Sequence, residues 1–226
     1  MGKSRSPERW LVSDQLWSKV QPLLPKPPRP ARWRGGRPRV PDRHALNGIL
    51  FVLRTGCQWN ALNATGICSS STAHRRFQQW VCAGVFAQLW EQGLTDYDEL
   101  NGIDWRWQAM DGAMTKAPLG GEKIGPNPTD RATDGVKRSV LTEGAGVPIG
   151  LAIDGANRND CKLVKATLES IPVERPVAGS GQLQGLCLDK GYDCDEVREL
   201  AATFGYTTHM RSRGEEAQAL KRKTRF

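Results

Sequence analysis

A chain of 226 residues with 38% hydrophobic residues can bury one large core or two small ones without disulfide staples. Its six cysteines are scattered, with no C-x-x-C pair and no nearby histidine pair, which argues against a zinc site and for reduced thiols. No apolar run approaches the ~20 residues of a membrane span, and the opening MGKSRSPERW has no signal-peptide core, so the expectation is a soluble, cytoplasmic protein without a membrane partner.

The net charge of +8 is unevenly placed: residues 1–90 hold 14 of the 32 Lys/Arg against three acids, Glu8, Asp14 and Asp42. The remainder is therefore mildly acidic. A basic front joined to a carboxylate-bearing back half is the pattern of a polyanion-binding module attached to a second domain.

In chain order, Ser13 caps a helix carrying Leu16, Trp17, Val20 and Leu23, which Pro25, Pro27 and Pro28 end. KPPRPARWRGGRPRVP then places Lys26, Arg29, Arg32, Arg34, Arg37 and Arg39 among prolines and glycines. This composition forms no regular element and reads as an extended basic arm, residues 25–41, able to track phosphates or enter a minor groove. Asp42 opens an amphipathic helix with Leu46, Ile49, Leu50 and Leu53 on one face, ended by Gly56. After a turn-rich stretch, Ser70 or Ser71 caps a helix whose buried side is Phe77, Trp80 and Val81, with Arg75 and Arg76 in its first half. Helix, turn and arginine-bearing helix is the layout by which helix-turn-helix proteins reach the major groove. Val85, Phe86, Leu89 and Trp90 form one more helix ending near Gly93, with TDYDELNG as the boundary to a second domain. The expected division is 1–98 and 99–226.

From Asp104 the texture changes to short extended runs. DWRWQAMDGAMTKAP delivers Asp111 at a strand end before Gly112 breaks the pattern, and GVKRSVLTEGAGVPIGLAIDG reads as a hairpin turning over Glu143 to Gly146. NRNDCKLVKATLES is helical with Asp160 near its start, LQGLCLDKGYD is a strand ending on Asp189, DEVRELAATFG is a helix stopped by Gly205, and YTTHM is a last strand. This order matches a ribonuclease H-like mixed sheet in which the first and fourth strands are neighbours, which brings Asp111 and Asp189 together. Two close carboxylates need a cation, and hard oxygen ligands select Mg²⁺ or Mn²⁺.

GRPRVPDRHALNGILFVLRTGCQWNAL, STAHRRFQQW, MDGAMTKAP, GLAIDGANRND and LDKGYD together resemble bacterial insertion-sequence transposases of the DDE class, closest to the insertion sequence five group. The resemblance runs from about Leu11 to Arg213. It implies an α+β protein with a helix-turn-helix-like front domain and a ribonuclease H-like catalytic domain. It also implies binding of terminal inverted repeats in double-stranded DNA, Mg-dependent cleavage and strand transfer into a target, and assembly of more than one subunit on DNA in the bacterial nucleoid. Asp111 and Asp189 match the family's first two catalytic aspartates. The third carboxylate of the family sits in a helix with a Glu-Arg-x-x-x-Trp motif, and no such motif follows Asp189. Glu215 and Glu216 lie in a polar, loop-like stretch, so the expectation is an incomplete catalytic domain whose glutamate lies beyond Phe226. A truncated, inactive DNA-binding product is the alternative function.

Arg32, Arg34, Arg37, Arg39, Arg75, Arg76 and Lys190 are the candidate DNA contacts. Asp193 and Asp195 read as helix-start charges, Asp154 has no expected catalytic role, Trp105 and Trp107 read as packing residues, and His74 and His209 read as structural.

Overall fold

The structure, a computed structural model, describes residues 11–26, 38–117, 120–176 and 183–210. Arg29, Arg32, Arg34 and Arg37 of the basic arm, together with Glu215 and Glu216, lie outside the described residues. The chain divides into two compact units, Met1–Gly93 and Leu94–Phe226.

The first unit is helical: α1 (Asp14–Val20), α2 (Asp42–Thr55), α3 (Ser70–Cys82) and the beginning of α4 (Val85–Asn101). Ser13 caps α1, its hydroxyl accepting the Leu16 amide at 3.2 Å. Gly56, at φ 66°, ends α2 in the left-handed conformation that a residue with a Cβ adopts at a cost. The cap of α3 is Ser69, one residue before the two candidates in the sequence, and the Asn63 side chain accepts the Ser70 amide at 2.8 Å. Leu46, Ile49, Val52, Leu62, Ala73, Trp80 and Val85 form one core with Val12 and Val20. Gly48 lets α2 approach its neighbours: a Cβ there would meet Leu62 at 3.0 Å and Cys68 at 3.3 Å.

Helix α4 runs through Gly93, where the sequence suggested a stop. A glycine inside a helix costs only about 1 kcal/mol relative to alanine, whereas ending one calls for a left-handed residue. That residue is Gly102, at φ 75°.

The second unit is built on one mixed sheet of β1 (Trp107–Lys116), β2 (Gly125–Pro126), β3 (Asp134–Thr142), β4 (Pro148–Gly155), β5 (Gln184–Leu188) and β6 (Tyr206–His209). Strand β3 pairs antiparallel with β1 on one side and with β4 and the short β2 on the other; β1 then pairs parallel with β5, and β5 parallel with β6. The β3–β4 hairpin turns at the expected Glu143–Gly146, where the buried Glu143 carboxylate accepts the amides of Ala145 and Val147, each at 2.9 Å. Two short helices, α5 (Val164–Glu169) and α6 (Asp195–Thr203), supply the crossovers that parallel strands require. The order is that of the ribonuclease H-like fold, and the protein is α+β. Among the described residues no helix is long and apolar enough to cross a membrane.

Strand β1 also outruns its expected end. Its pairing with β5 stops at Met110↔Leu188, but its pairing with β3 continues to Lys116↔Gly135, so Gly112 lies inside a strand that has lost one partner rather than at its terminus.

Candidate active site

The carboxylate site begins with strand register. Along β1 side chains alternate, so Met110 points into the core and Asp111 outward to solvent. Asp111 is the first β1 residue beyond the last parallel pair, and Asp189 is the residue after Leu188, the other member of that pair. The two aspartates therefore stand at the same level on adjacent strands, which lie about 4.8 Å apart; Asp189 follows the end of β5, while Asp111 is still paired with Val140 of β3. Both are exposed.

The local chain fixes each carboxylate. Asp189 caps the 3-10 turn Lys190–Tyr192, accepting the Gly191 amide at 2.8 Å, and Asp111 Oδ1 accepts the Gly112 amide at 2.7 Å. The second oxygen of each has no hydrogen bond among the described residues. Two outward carboxylates with available oxygens are a hard donor set suited to Mg²⁺ or Mn²⁺. Among the described residues no three His, Cys, Asp or Glu side chains converge tightly enough to hold an ion by themselves.

Behind this pair lies a group that the sequence reading passed over. Asp160, the first residue of the 3-10 turn Asp160–Leu163, reaches over the β1 backbone: a Cβ built on Gly112 would stand 2.3 Å from Asp160 Oδ1 and 3.6 Å from the Tyr192 hydroxyl. A side chain there would have to displace the Asp160 carboxylate. Asp160 Oδ2 accepts a hydrogen bond from Lys137 Nζ at 3.0 Å, and that lysine side chain is 9% exposed. Asp160 Oδ1 and the Tyr192 hydroxyl are buried without a hydrogen bond of standard geometry. Burial, and then the charge of Asp160, push the Tyr192 phenol well above its ordinary range; Asp111 and Asp189 add to the rise and the nearby Ser139 hydroxyl opposes it. One phenol thus senses all three aspartates. The buried Lys137 pairs with Asp160 alone among them.

Lys137 had a visible signal in its parity. In GVKRSVL the inward positions of β3 are Gly135, Lys137, Ser139 and Leu141, so a lysine occupies the core face of an alternating strand. Asp160 gave no comparable signal, because its role depends on a glycine 48 positions earlier in the chain.

The second region is the basic face of the helical unit. A cleft of about 1280 Å³ opens beside α3, lined in part by Lys26, Arg39, His44, Arg75, Arg76 and Gln79. Arg75 is exposed. Arg76 is not: it is 5% exposed, its Nε lies 3.2 Å from Asp42 Oδ1, and its Nη1 donates to Gln79 at 3.2 Å. Asp42 also accepts Arg39 Nη2 at 2.8 Å. Burial, then Arg39, lower the Arg76 pKa, with Arg75 adding to that and Asp42 opposing it. Arg76 ties the start of α2 to α3, while Arg75 faces outward. The connection between these helices, residues 56–69, contains its own 3-10 turn, Trp59–Ala64, and is longer than the roughly three or four residues of a compact helix-turn-helix.

Lys190 opens the turn after Asp189 and is partly buried. Trp105, in the turn before β1, is buried as expected, but Trp107, the first residue of β1, is 50% exposed and packs its ring against His209 at 4.7 Å between centroids. Asp195 lies in the first turn of α6, Asp193 pairs with Arg198, and Asp154 with Arg158 at 3.3 Å. His74 is exposed, its ring 5.0 Å from that of Trp59.

Residues 12–90 match a family model described as "Putative transposase of IS4/5 family", and residues 107–225 match one described as "Transposase DDE domain". A Burkholderia cepacia protein described as "Insertion element IS402 uncharacterized 16.2 kDa protein" is 41% identical over 120 residues, covering 52% of this chain and 81% of that protein. A second protein of the same organism, "Putative transposase for insertion sequence element IS402", is 34% identical over 107 residues, 46% of this chain and 46% of its own length. The chain therefore matches less than half the length of the second relative.

Proposed function

Since the chain belongs to the DDE-class transposases of the IS4/5 family, we propose that it binds the terminal inverted repeats of an insertion sequence and takes part in cleaving and joining DNA strands. In this reading Asp111 and Asp189 hold a Mg²⁺ or Mn²⁺ ion. The observation that carries it is the register: both aspartates follow immediately on the last parallel pair, Met110↔Leu188, and both face solvent.

A divalent ion of the kind DDE domains generally use supplies nucleophile activation and charge stabilisation at the scissile phosphate. The chain's own groups prepare the place for it. Asp189 is held by the Gly191 amide, and Asp111 by the strand and the Gly112 amide, which leaves one oxygen of each for the ion. Asp160, anchored by Lys137, stands behind them as a positioning residue that adds negative charge. The third carboxylate of the DDE set comes from outside the described residues.

The basic unit supplies the DNA contacts. Arg75 and Lys26 at the cleft meet phosphate, joined by Arg32, Arg34 and Arg37 of the arm, while Arg39 and Arg76 hold Asp42 and shape the surface. Lys190 lies beside Asp189, where a phosphate would pass. Work on both ends of an element calls for more than one copy on the DNA.

A second reading is a product that occupies element ends without cutting them. The test is nicking of terminal-repeat DNA in Mg²⁺. Cleavage that disappears in Asp111→Ala supports the first reading, and salt-sensitive binding without cleavage supports the second.

A further inference from the structure

The cysteines outside the carboxylate chemistry are not all isolated. Cys161 and Cys194 are 33 positions apart, yet Cys194 Sγ stands 3.2 Å from Cys161 Sγ, and the Cys161 thiol donates to the Gly191 carbonyl at 3.5 Å. Both are half-buried and both are free thiols. A disulfide needs about 2.05 Å between sulfurs, so roughly an ångström of approach separates this pair from a bond.

Their positions in the chain give such a bond a consequence. Cys161 directly follows Asp160, and Cys194 ends the segment that starts at Asp189, immediately before α6. A bond between them would join the turn bearing Asp160 to the turn bearing Asp189. No other element makes that covalent link.

We propose that Cys161 and Cys194 are a reversible dithiol–disulfide site that locks the Asp189 turn to the Asp160 turn. The oxidant is a small-molecule disulfide. The Cys194 thiolate attacks one of its sulfurs, expelling one thiol and leaving a mixed disulfide; deprotonated Cys161 then attacks Cys194 Sγ and expels the second thiol. The two protein thiols together lose two protons and two electrons, and the reagent disulfide is reduced to two thiols. Burial, and then the neighbouring Cys194, raise the Cys161 thiol to about 11, which assigns it the resolving step and makes bond closure slow at neutral pH and faster as pH rises. The bond itself is independent of the functional reading above; any change in cleavage rests on that reading.

The test uses the full chain incubated with oxidised glutathione, then alkylated and mapped by mass spectrometry without reduction. The expected result is the loss of two of the six thiols and a Cys161–Cys194 cross-linked peptide lighter by two hydrogens than the sum of its parts. Dithiothreitol should reverse it, and amide exchange across 189–194 should slow in the oxidised form. Cys161→Ser should leave a glutathione adduct stranded on Cys194, whereas Cys187→Ser should change nothing. Six thiols remaining after oxidation, a cross-link between other cysteines, or a glutathione adduct on Cys194 that never resolves in the unsubstituted chain would overturn the proposal. A cross-link that forms while exchange across 189–194 stays the same would overturn the locking.

Discussion

The two units treat buried charge in opposite ways. In the helical unit Arg76 is buried against Asp42, Arg39 adds a second partner, and among the described residues Lys19, Lys26, Arg54 and Arg75 are exposed. Charge is neutralised inside and left in excess at the surface, as the proposed phosphate contacts require. In the sheet unit one buried lysine, Lys137, stands against Asp160, while Asp111 and Asp189 emerge close by, and among the described residues no ion pair holds either of them. There the excess is negative and local. A surface left with unbalanced carboxylates on adjacent strands is stable only at a cost that a bound cation removes.

The largest effect that sharpens this contrast is catalytic. Asp111→Ala or Asp189→Ala should lower strand cleavage about a thousandfold, roughly 4 kcal/mol of barrier, in a nicking assay on terminal-repeat DNA. Next is the buried lysine. Lys137→Met should destabilise the protein by about 3 kcal/mol, because Asp160 is left as an unpaired charge. Denaturant melts would register this, and adding Asp160→Asn should recover most of it. Arg76→Ala should lose somewhat less, about 2 kcal/mol, since Asp42 keeps Arg39 as a partner. Gly112→Ala should cost about 1–2 kcal/mol by driving a methyl group into Asp160, and Asp160→Ala should relieve it. Smallest in stability is Arg75→Ala, expected within about 0.5 kcal/mol of the parent. Its signature is in binding: weaker affinity and a salt slope reduced by about one. If Arg75→Ala unfolds the protein while Arg76→Ala merely weakens DNA binding, the division of labour in the helical unit is reversed.

Elements set by local periodicity and punctuation were legible in the sequence. Ser13, Gly56, Gly205 and the Glu143–Gly146 turn all sit where their residue chemistry puts them. The misjudged boundaries share a cause. Gly93 and Gly112 both read as breaks, yet one lies within a continuing helix and the other in a strand whose β3 partner continues past it. Glycine removes a side chain from a regular element as readily as it ends one, and only tertiary neighbours decide which. Gly112 makes the point at the site itself, since its missing side chain is the space Asp160 occupies. That Asp111 and Asp189 lie on neighbouring strands was readable because it depends on strand order. The Asp160–Lys137–Tyr192 group was not, because three separate segments have to meet before it exists. Arg75 and Arg76 show the same limit: adjacent and identical in sequence, they lie about 100° apart around the helix, one exposed and the other buried.

Binding of Mn²⁺ to the purified chain, read by electron paramagnetic resonance or calorimetry, tests the central claim most directly and needs no DNA. The account predicts a site that weakens at least tenfold in Asp111→Asn and in Asp189→Asn, and is unaffected in Asp154→Asn. Equal Mn²⁺ affinity in the parent chain and in the doubly substituted Asp111→Asn, Asp189→Asn chain would contradict it.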